Sequence, residues 1–446
     1  VKREIAPIFK AYDIRGTYPD QLEEGLAERI GLATSIFLAA GRVAVGHDVR
    51  NSAPSIAEAV TRGILRAGAD VLNLGHCTTP MLYYAVGRYK LSGGIMVTAS
   101  HNPPEWIGLK ICRQEAIPIG RSSGLDQIQA LVSEGRVKGN KQGKIESVNI
   151  SGEYRDHILG FLQLSRRLRI AVDTANGSVG PIFQAVFSGL PLDIFGLYFE
   201  PNGSFPNHEP NPLKEENTRE LCRVVRQQGA DLGVAFDGDG DRCIFVDERG
   251  ERIPADRITV LLAREVLPGN PAQAVVYDLR SSRVVREEIQ RLGGRPIRER
   301  VGHAFIKQTM RAHSAIVGGE LSGHYYFRDH FFADSGLVAF AMVITYLSKL
   351  DKGLSQDLVY LDRYFATGEI NFRVQDVDLI YSKIQRRFSD GRIDYLDGLT
   401  VEYPDWWFNV RPSNTEPLVR LNLEACTQSK LKEAKAKLFE ILGTPV

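Results

Sequence analysis

A chain of 446 residues, 43% hydrophobic and 24% charged, is too long for one ordinary core and too apolar for a disordered chain, which predicts two to four domains. A formal charge of +1 supplies no global field to attract nucleic acid, so any anion it binds has to be held locally. The five cysteines, without a Cys-x-x-Cys pair, speak against a disulfide framework or structural zinc; they suit a reducing cytoplasm. The opening Val1–Pro7 has no apolar signal core, and the most apolar helix-like stretch, Leu337–Leu347, is too short to span a bilayer.

In chain order, Lys10-Ala-Tyr-Asp-Ile-Arg-Gly16 reads as a charged turn, Lys10 and Arg15 flanking a bend that ends in glycine. Val43–Asp48 is an apolar strand leading to a polar loop and a helix over about Ser52–Ala67. The plan recurs at Ile170–Asp173, with a helix reaching Phe187, and at Val275–Asp278, with a helix reaching about Leu292. Apolar strands alternating with helices predict parallel α/β sheets, and three such copies predict three related α/β domains. The tail differs. After Leu361 it reads strand, helix over about Asp376–Phe388, two or three strands, then a helix over Ser429–Leu442 with Leu431, Ala434, Leu438 and Ile441 on one face. That is a smaller α+β domain, and the expected divisions are 1–150, 151–250, 251–363 and 364–446.

Four further stretches carry chemistry. Thr98-Ala-Ser-His-Asn-Pro103 follows the buried strand Gly93–Val97, and Pro103 with Pro104 forces a turn, so Ser100 sits at a strand exit where loops present reactive groups. The plain alternative is a turn in which Ser and Asn cap backbone amides. A Ser-His-Asp hydrolase is disfavoured, because no Gly-x-Ser-x-Gly elbow surrounds a serine. Asp237-Gly-Asp-Gly-Asp-Arg242 follows the strand Leu232–Phe236. Three carboxylates at alternate positions, separated by glycines, can wrap one hard cation such as Mg²⁺, with Arg242 beside them as a phosphate partner. An EF-hand reading fails, since its sixth position is Arg242 rather than glycine and a strand, not a helix, precedes it. On the C-terminal side of this loop, Cys243–Ile253 reads as a hairpin turning at Arg249-Gly250.

In Gly318-Gly-Glu-Leu-Ser-Gly-His324, Glu320 and Ser322 stand two apart and would face one way in an extended loop, which suits a sugar diol; an ordinary polar loop fits equally well. Arg411-Pro-Ser-Asn-Thr-Glu-Pro417 offers a guanidinium, hydroxyls, an amide and turn N–H groups as an anion cradle, or else forms a Pro-bounded turn.

Together and in this order, these five stretches make the chain resemble the α-D-phosphohexomutase family from Lys10 to Pro417. The Glu-Leu-Ser-Gly-His loop is most similar to the phosphomannomutase/phosphoglucomutase branch; the glucosamine branch carries glutamine where this chain has Leu321. The resemblance implies four domains around a central cleft: three α/β domains and a C-terminal α+β domain of the TATA-binding-protein-like type. It implies that Ser100 carries the phosphoryl group and that Asp237, Asp239 and Asp241, with Ser100, hold Mg²⁺. It further implies that Lys10, Tyr12, Glu320 and Ser322 contact the sugar, and that Arg411, Ser413, Asn414 and Thr415 hold the phosphate that is not reacting. Arg15, His101, Lys110, Arg242, His303 and His324 would line the reaction site; before Gly108, where the family usually has asparagine, this chain has Ile107.

The implied reaction is reversible phosphoryl transfer between the 1- and 6-positions of mannose or glucose phosphate, through a phosphoserine and a hexose 1,6-bisphosphate that also serves as activator. A glucosamine-phosphate mutase, a metal-dependent phosphosugar phosphatase and a non-catalytic phosphosugar-binding protein are the alternatives. The expected partner is a small hexose phosphate, with neither nucleic acid nor membrane.

Overall fold

Asp48, Asp173 and Asp278 stand at equivalent places in three sheets of one design. The computed structural model describes residues 6–135, 142–412 and 418–446. In each sheet the Asp-ended strand is central: Arg42–His47, Leu168–Asp173 and Ala274–Asp278. A second parallel strand lies on one side (Asp70–His76, Leu192–Leu197, Arg295–Glu299) and a third on the other (Gly93–Val97, Leu232–Phe236, Val317–Gly319). The chain then turns back into an antiparallel fourth strand: Trp106–Arg113, Cys243–Val246 and Tyr325–Phe327. The Asp-bearing strands and the third strands are buried almost throughout, which is why they read as apolar runs, whereas the second strands lie nearer the surface. Each Asp accepts a hydrogen bond from the backbone N–H two residues on, at 2.9 Å from Arg50, 2.8 Å from Ala175 and 2.7 Å from Arg280. This Asx-turn ends the strand and starts the polar loop.

The tail forms a single antiparallel sheet in the order Phe365–Arg373, Leu418–Ala425, Trp406–Pro412, Leu399–Glu402, Arg392–Asp394. The helices Val377–Arg387 and Gln428–Leu442 pack on it through Ile380, Ile384, Leu431, Ala434 and Leu438. Four strands lie between these helices instead of two or three, because Arg392–Asp394 and Leu399–Glu402 are too short for an alternating pattern to register. The hairpin after the aspartate loop forms as expected, with Asp247 Oδ1 accepting from the backbone of Arg249 and Glu251 and Gly250 at φ 76°.

The three α/β units share one continuous core. Leu82 and Val86 of the helix Thr79–Arg88, Phe183 and Phe187 of Val179–Phe187, and Phe340 of Gly336–Ser348 belong to it. Gly336–Ser348 is apolar all round because it is buried within protein; no helix among the described residues is long and apolar enough to cross a membrane. All five cysteines are free.

A histidine pair ties the second unit to the third. His157 Nε2 lies 2.9 Å from His330 Nδ1, among Tyr84, Tyr154 and Phe161. Burial, against a weaker pull from Asp329, holds His157 down at about 4. Burial and then His157 hold His330 well below the histidine range, although Asp334 opposes this. An unfolded chain takes up these protons below about 6.5, whereas the fold resists, so stability falls as the pH drops from there towards 4. Replacing His157 by Gln is expected to flatten that loss. Urea unfolding of wild type and H157Q across this range checks it, and equal slopes would refute it.

Candidate active site

Ser100 sits just past the end of the buried strand Gly93–Val97 and has a left-handed backbone, φ 51°, a strained conformation for a residue with a side chain. Arg50 holds it there. This fully buried guanidinium donates to four carbonyls of the loop: Ser100 (2.9 Å), Asn102 (2.6 Å), Pro103 (2.6 Å) and Trp106 (3.0 Å). Its charge is met by Asp48 at 3.2 Å, which also accepts from Thr98 Oγ1 at 2.7 Å; Thr98 Oγ1 in turn accepts from Ser100 N at 2.8 Å. Arg15, paired with Asp13 at 2.7 Å, donates to Asn102 Oδ1 and Ala99 O on the other side of the loop.

The aspartate loop comes from the second unit and meets this serine directly. Ser100 Oγ donates to Asp237 Oδ2 at 2.7 Å. The close approach needs Gly238, where a Cβ would stand 2.7 Å from the Ser100 carbonyl oxygen. Asp237, Asp239 and Asp241 each offer an oxygen within 4.8 Å of the others, all buried. Burial first, then Asp241 and Asp239, push Asp237 well above the carboxylate range, so a further positive charge beside Asp237 would relieve the cluster. Asp239 Oδ1 and Asp241 Oδ1 are buried with no hydrogen-bond partner among the described residues. An all-oxygen set with two buried, unpartnered carboxylate oxygens fits a hard divalent cation such as Mg²⁺.

Lys110 sits on the fourth strand of the first unit, and its Nζ donates to Asp239 Oδ2 at 2.7 Å and to Asp241 Oδ2. Burial works to lower it, but the two carboxylates prevail and the ammonium is raised above its ordinary value. Thr79 Oγ1 donates to Asp239 Oδ2 at 2.6 Å. His101 Nδ1 is 3.3 Å from Ser100 Oγ, and burial, then Arg242 and Arg15, hold the ring well below the usual range.

The third unit presents Glu320–His324. Gly323 N donates to Glu320 O at 3.1 Å, so the loop is a turn rather than extended, and it is this turn that brings Ser322 Oγ to Glu320 Oε2 at 2.8 Å. Tyr326 OH also donates to Oε2, and Gly302 N to Oε1. Leu321 N donates to Asp278, just as the first unit's Asp braces the serine loop. His324 Nε2 accepts from Arg242 Nε at 2.9 Å. An arginine Nε–H can only donate, so the ring proton is on Nδ1, 2.9 Å from Asp334 Oδ2, and Lys307 Nζ backs Asp334 at 2.6 Å. Tyr12 packs edge-on against His303 at 5.4 Å, and the His303 ring lies 6.2 Å from His324; Lys10 is exposed.

In the tail, Arg411 is buried near the end of Trp406–Pro412 and donates to Glu369 Oε2 at 2.8 Å. Ser413, Asn414 and Thr415 lie outside the described residues.

Models of the phosphoglucomutase/phosphomannomutase alpha/beta/alpha domains I, II and III match residues 6–137, 152–250 and 254–364, and the model of the C-terminal domain matches 369–441. The chain belongs to the phosphoglucomutase/phosphomannomutase family. It is 38% identical over 438 residues to a protein of Xanthomonas campestris named for phosphohexose mutases, covering 97% of this chain and 98% of that one. It is also 38% identical over 449 residues to a phosphomannomutase of Escherichia coli, covering 98% of each. A crystal structure of a phosphoglucomutase/phosphomannomutase family protein from Burkholderia thailandensis superposes with a TM-score of 0.90 at 33% identity over 97% of both chains.

The structure of this family member thus gathers Ser100, His101, Arg15, Lys110, the three aspartates, Arg242 and His324 into one cluster, with Glu320 and Ser322 beside it. Residues that sequence reasoning missed are Arg50, Thr79, Lys307, Asp334 and Glu369. None stands in a motif, and each is placed by a contact more than 25 residues away along the chain.

Arg50→Ala would leave the Asp48 charge unpaired and remove the guanidinium donations to four carbonyls of the loop. That is expected to cost about 3–5 kcal/mol and to release the serine loop. Denaturant unfolding together with turnover reads both effects, and wild-type values of each would refute the role.

Proposed function

We propose that this protein is a hexose-phosphate mutase that moves a phosphoryl group between the 1- and 6-positions of mannose and glucose phosphates through a phosphoserine at Ser100. The observation that carries the reading is the direct bond from Ser100 Oγ to the aspartate cluster, with Arg242 and His324 alongside. Donation from phosphoserine breaks the Ser100 Oγ–P bond and forms a bond from phosphorus to the sugar oxygen, while the sugar hydroxyl loses its proton. The resulting 1,6-bisphosphate turns end for end and returns its other phosphate to Ser100; supplied from outside, it would serve as activator.

Such transfers depend on alignment and charge neutralisation more than on covalent help. Asp237, Asp239 and Asp241, with the Ser100 oxygen, are the residues we assign to Mg²⁺, which when bound supplies positive charge to the transferring oxygens. Arg242, whose Nε donates to His324, and Arg15 add charge from the protein. Lys110, whose Nζ donates to Asp239 and Asp241, brings a further cation to the cluster. His324 is the better acceptor for the hydroxyl proton: Asp334 fixes its tautomer, and Nε2 becomes available once Arg242 turns to phosphate. Glu320 and Ser322 are assigned to sugar hydroxyls, with Lys10, Tyr12 and His303 at the mouth, and Arg411 with Ser413, Asn414 and Thr415 to the phosphate that is not reacting.

Ser100→Ala is expected to lose nearly all mutase turnover while keeping the fold and hexose-phosphate binding, and near wild-type turnover would overturn the reading. Excess chelator is expected to abolish activity and added Mg²⁺ to restore it; full activity in chelator would remove the metal assignment.

A sugar bound in both orientations has to be recognised through hydroxyls reachable from either end, and Leu321 offers no polar group to read O2. Mannose 1-phosphate and glucose 1-phosphate are therefore expected to differ by no more than about a hundredfold in kcat/KM, with glucosamine phosphates poorer than both. A preference between mannose and glucose beyond about a thousandfold, measured on one preparation, would mean that another group contacts O2.

A further inference from the structure

Glu369 lies among three arginines. Arg411 Nη2 donates to its Oε2 at 2.8 Å, Arg420 Nη1 is 3.3 Å from its Oε1, and Arg280 Nη1 is 3.8 Å from Oε2. Two of these arginines belong to the tail sheet. Arg280 comes from the third unit, where it is anchored on Asp278, the same carboxylate that braces the sugar loop through Leu321 N. Glu369 follows a β-bulge: the pairing with Leu418–Ala425 slips between Ala366 and Glu369, and Gly368 takes φ 68°. Bulges re-aim the side chains beside them. The carboxylate borders a cavity of about 360 Å³ between the third unit and the tail, lined also by Arg280, Arg257, Leu321 and Asn422. Arg411 is buried, and its Nε has no hydrogen-bond partner among the described residues.

Three guanidiniums meet Glu369, one of them shared with Asp278, and a phosphate dianion placed among them would balance more of their charge than one carboxylate does. Left to themselves they would repel one another and grip phosphate tightly. Tight grip is a handicap in this reaction, because the bisphosphate has to let go of the cradle, turn, and present its other end within one cycle. We propose that Glu369 is a resident competitor for the substrate's non-reacting phosphate: it takes the same guanidinium donors, weakens the cradle's hold, and refills the site when the phosphate leaves. The inference rests on the reading of Arg411 as the phosphate cradle. The residue is a determinant of affinity and release, not a group in the chemical step.

The test uses the full-length enzyme and inorganic phosphate as probe, followed by calorimetry for wild type, Glu369→Gln and Arg411→Ala. Removing one competing negative charge while keeping the side chain's shape is expected to tighten phosphate binding about tenfold. Turnover of a hexose 1-phosphate by Glu369→Gln is expected to show KM and kcat falling together, since the ground state is held more tightly and release is slowed. A brace that merely orients Arg411 would do the opposite, so unchanged or weaker phosphate binding in Glu369→Gln overturns the proposal. Arg411→Ala separates the two readings. If it weakens phosphate binding while Glu369→Gln fails to tighten it, the competitor role alone falls. If Arg411→Ala leaves phosphate binding unchanged, the cradle lies elsewhere and both readings fall.

Discussion

Three carboxylates are buried within a few ångströms of a serine hydroxyl, and such a cluster is unstable without cations around it. Much of the site's architecture answers that demand. Lys110 reaches in from the first unit, Arg242 from the loop itself, and Arg15 stands behind the serine. Arg242 is positioned in turn by His324, His324 lies against Asp334, and Asp334 against Lys307. The chain of partners runs through all three α/β units, so their shared core and their shared charge balance impose the same relative placement.

Repetition makes this convergence possible. In every α/β unit the turn from the third, parallel strand into the fourth, antiparallel one carries residues of the site. The first unit places Ser100 there, the second the carboxylates, the third the Glu-Leu-Ser-Gly-His turn. In the first and third units the Asp at the end of the central strand braces that turn, through Thr98 and Leu321 N. In the second, Asp173 instead meets His208 at 3.0 Å, because the aspartate loop is fixed from elsewhere. The tail has a different fold, an antiparallel sheet, and delivers arginines.

Much of this was legible in the sequence, for local reasons. Buried parallel strands leave apolar runs, Pro103-Pro104 marks the serine turn, and alternating Asp-Gly marks a loop that gathers its carboxylates. The short edge strands at Arg392–Asp394 and Leu399–Glu402 were not countable, since three or four residues carry no period. The Glu320–Ser322 pairing was anticipated but for the wrong geometry, because the turn closed by Gly323 has no signature beyond a glycine. Arg50, Asp334, Lys307 and Glu369 were invisible in principle. Each is an ordinary charged residue whose role comes from a partner brought close only by the fold, and alternation of hydrophobicity holds no information about such partners.

The contact between Gly238 and the serine loop has a consequence for how this enzyme tolerates change. The two loops belong to separate units and meet without a side chain between them, a Cβ at residue 238 standing 2.7 Å from the Ser100 carbonyl. A methyl group there removes no ligand and no charge; it acts as a shim, prising one unit from the next and opening the Ser100–Asp237 gap. In a saturation-mutagenesis landscape, position 238 would therefore group with inter-unit packing positions such as Phe340 rather than with the aspartates on either side of it, a sign that the distance between two folded bodies is itself an inherited part of the catalyst.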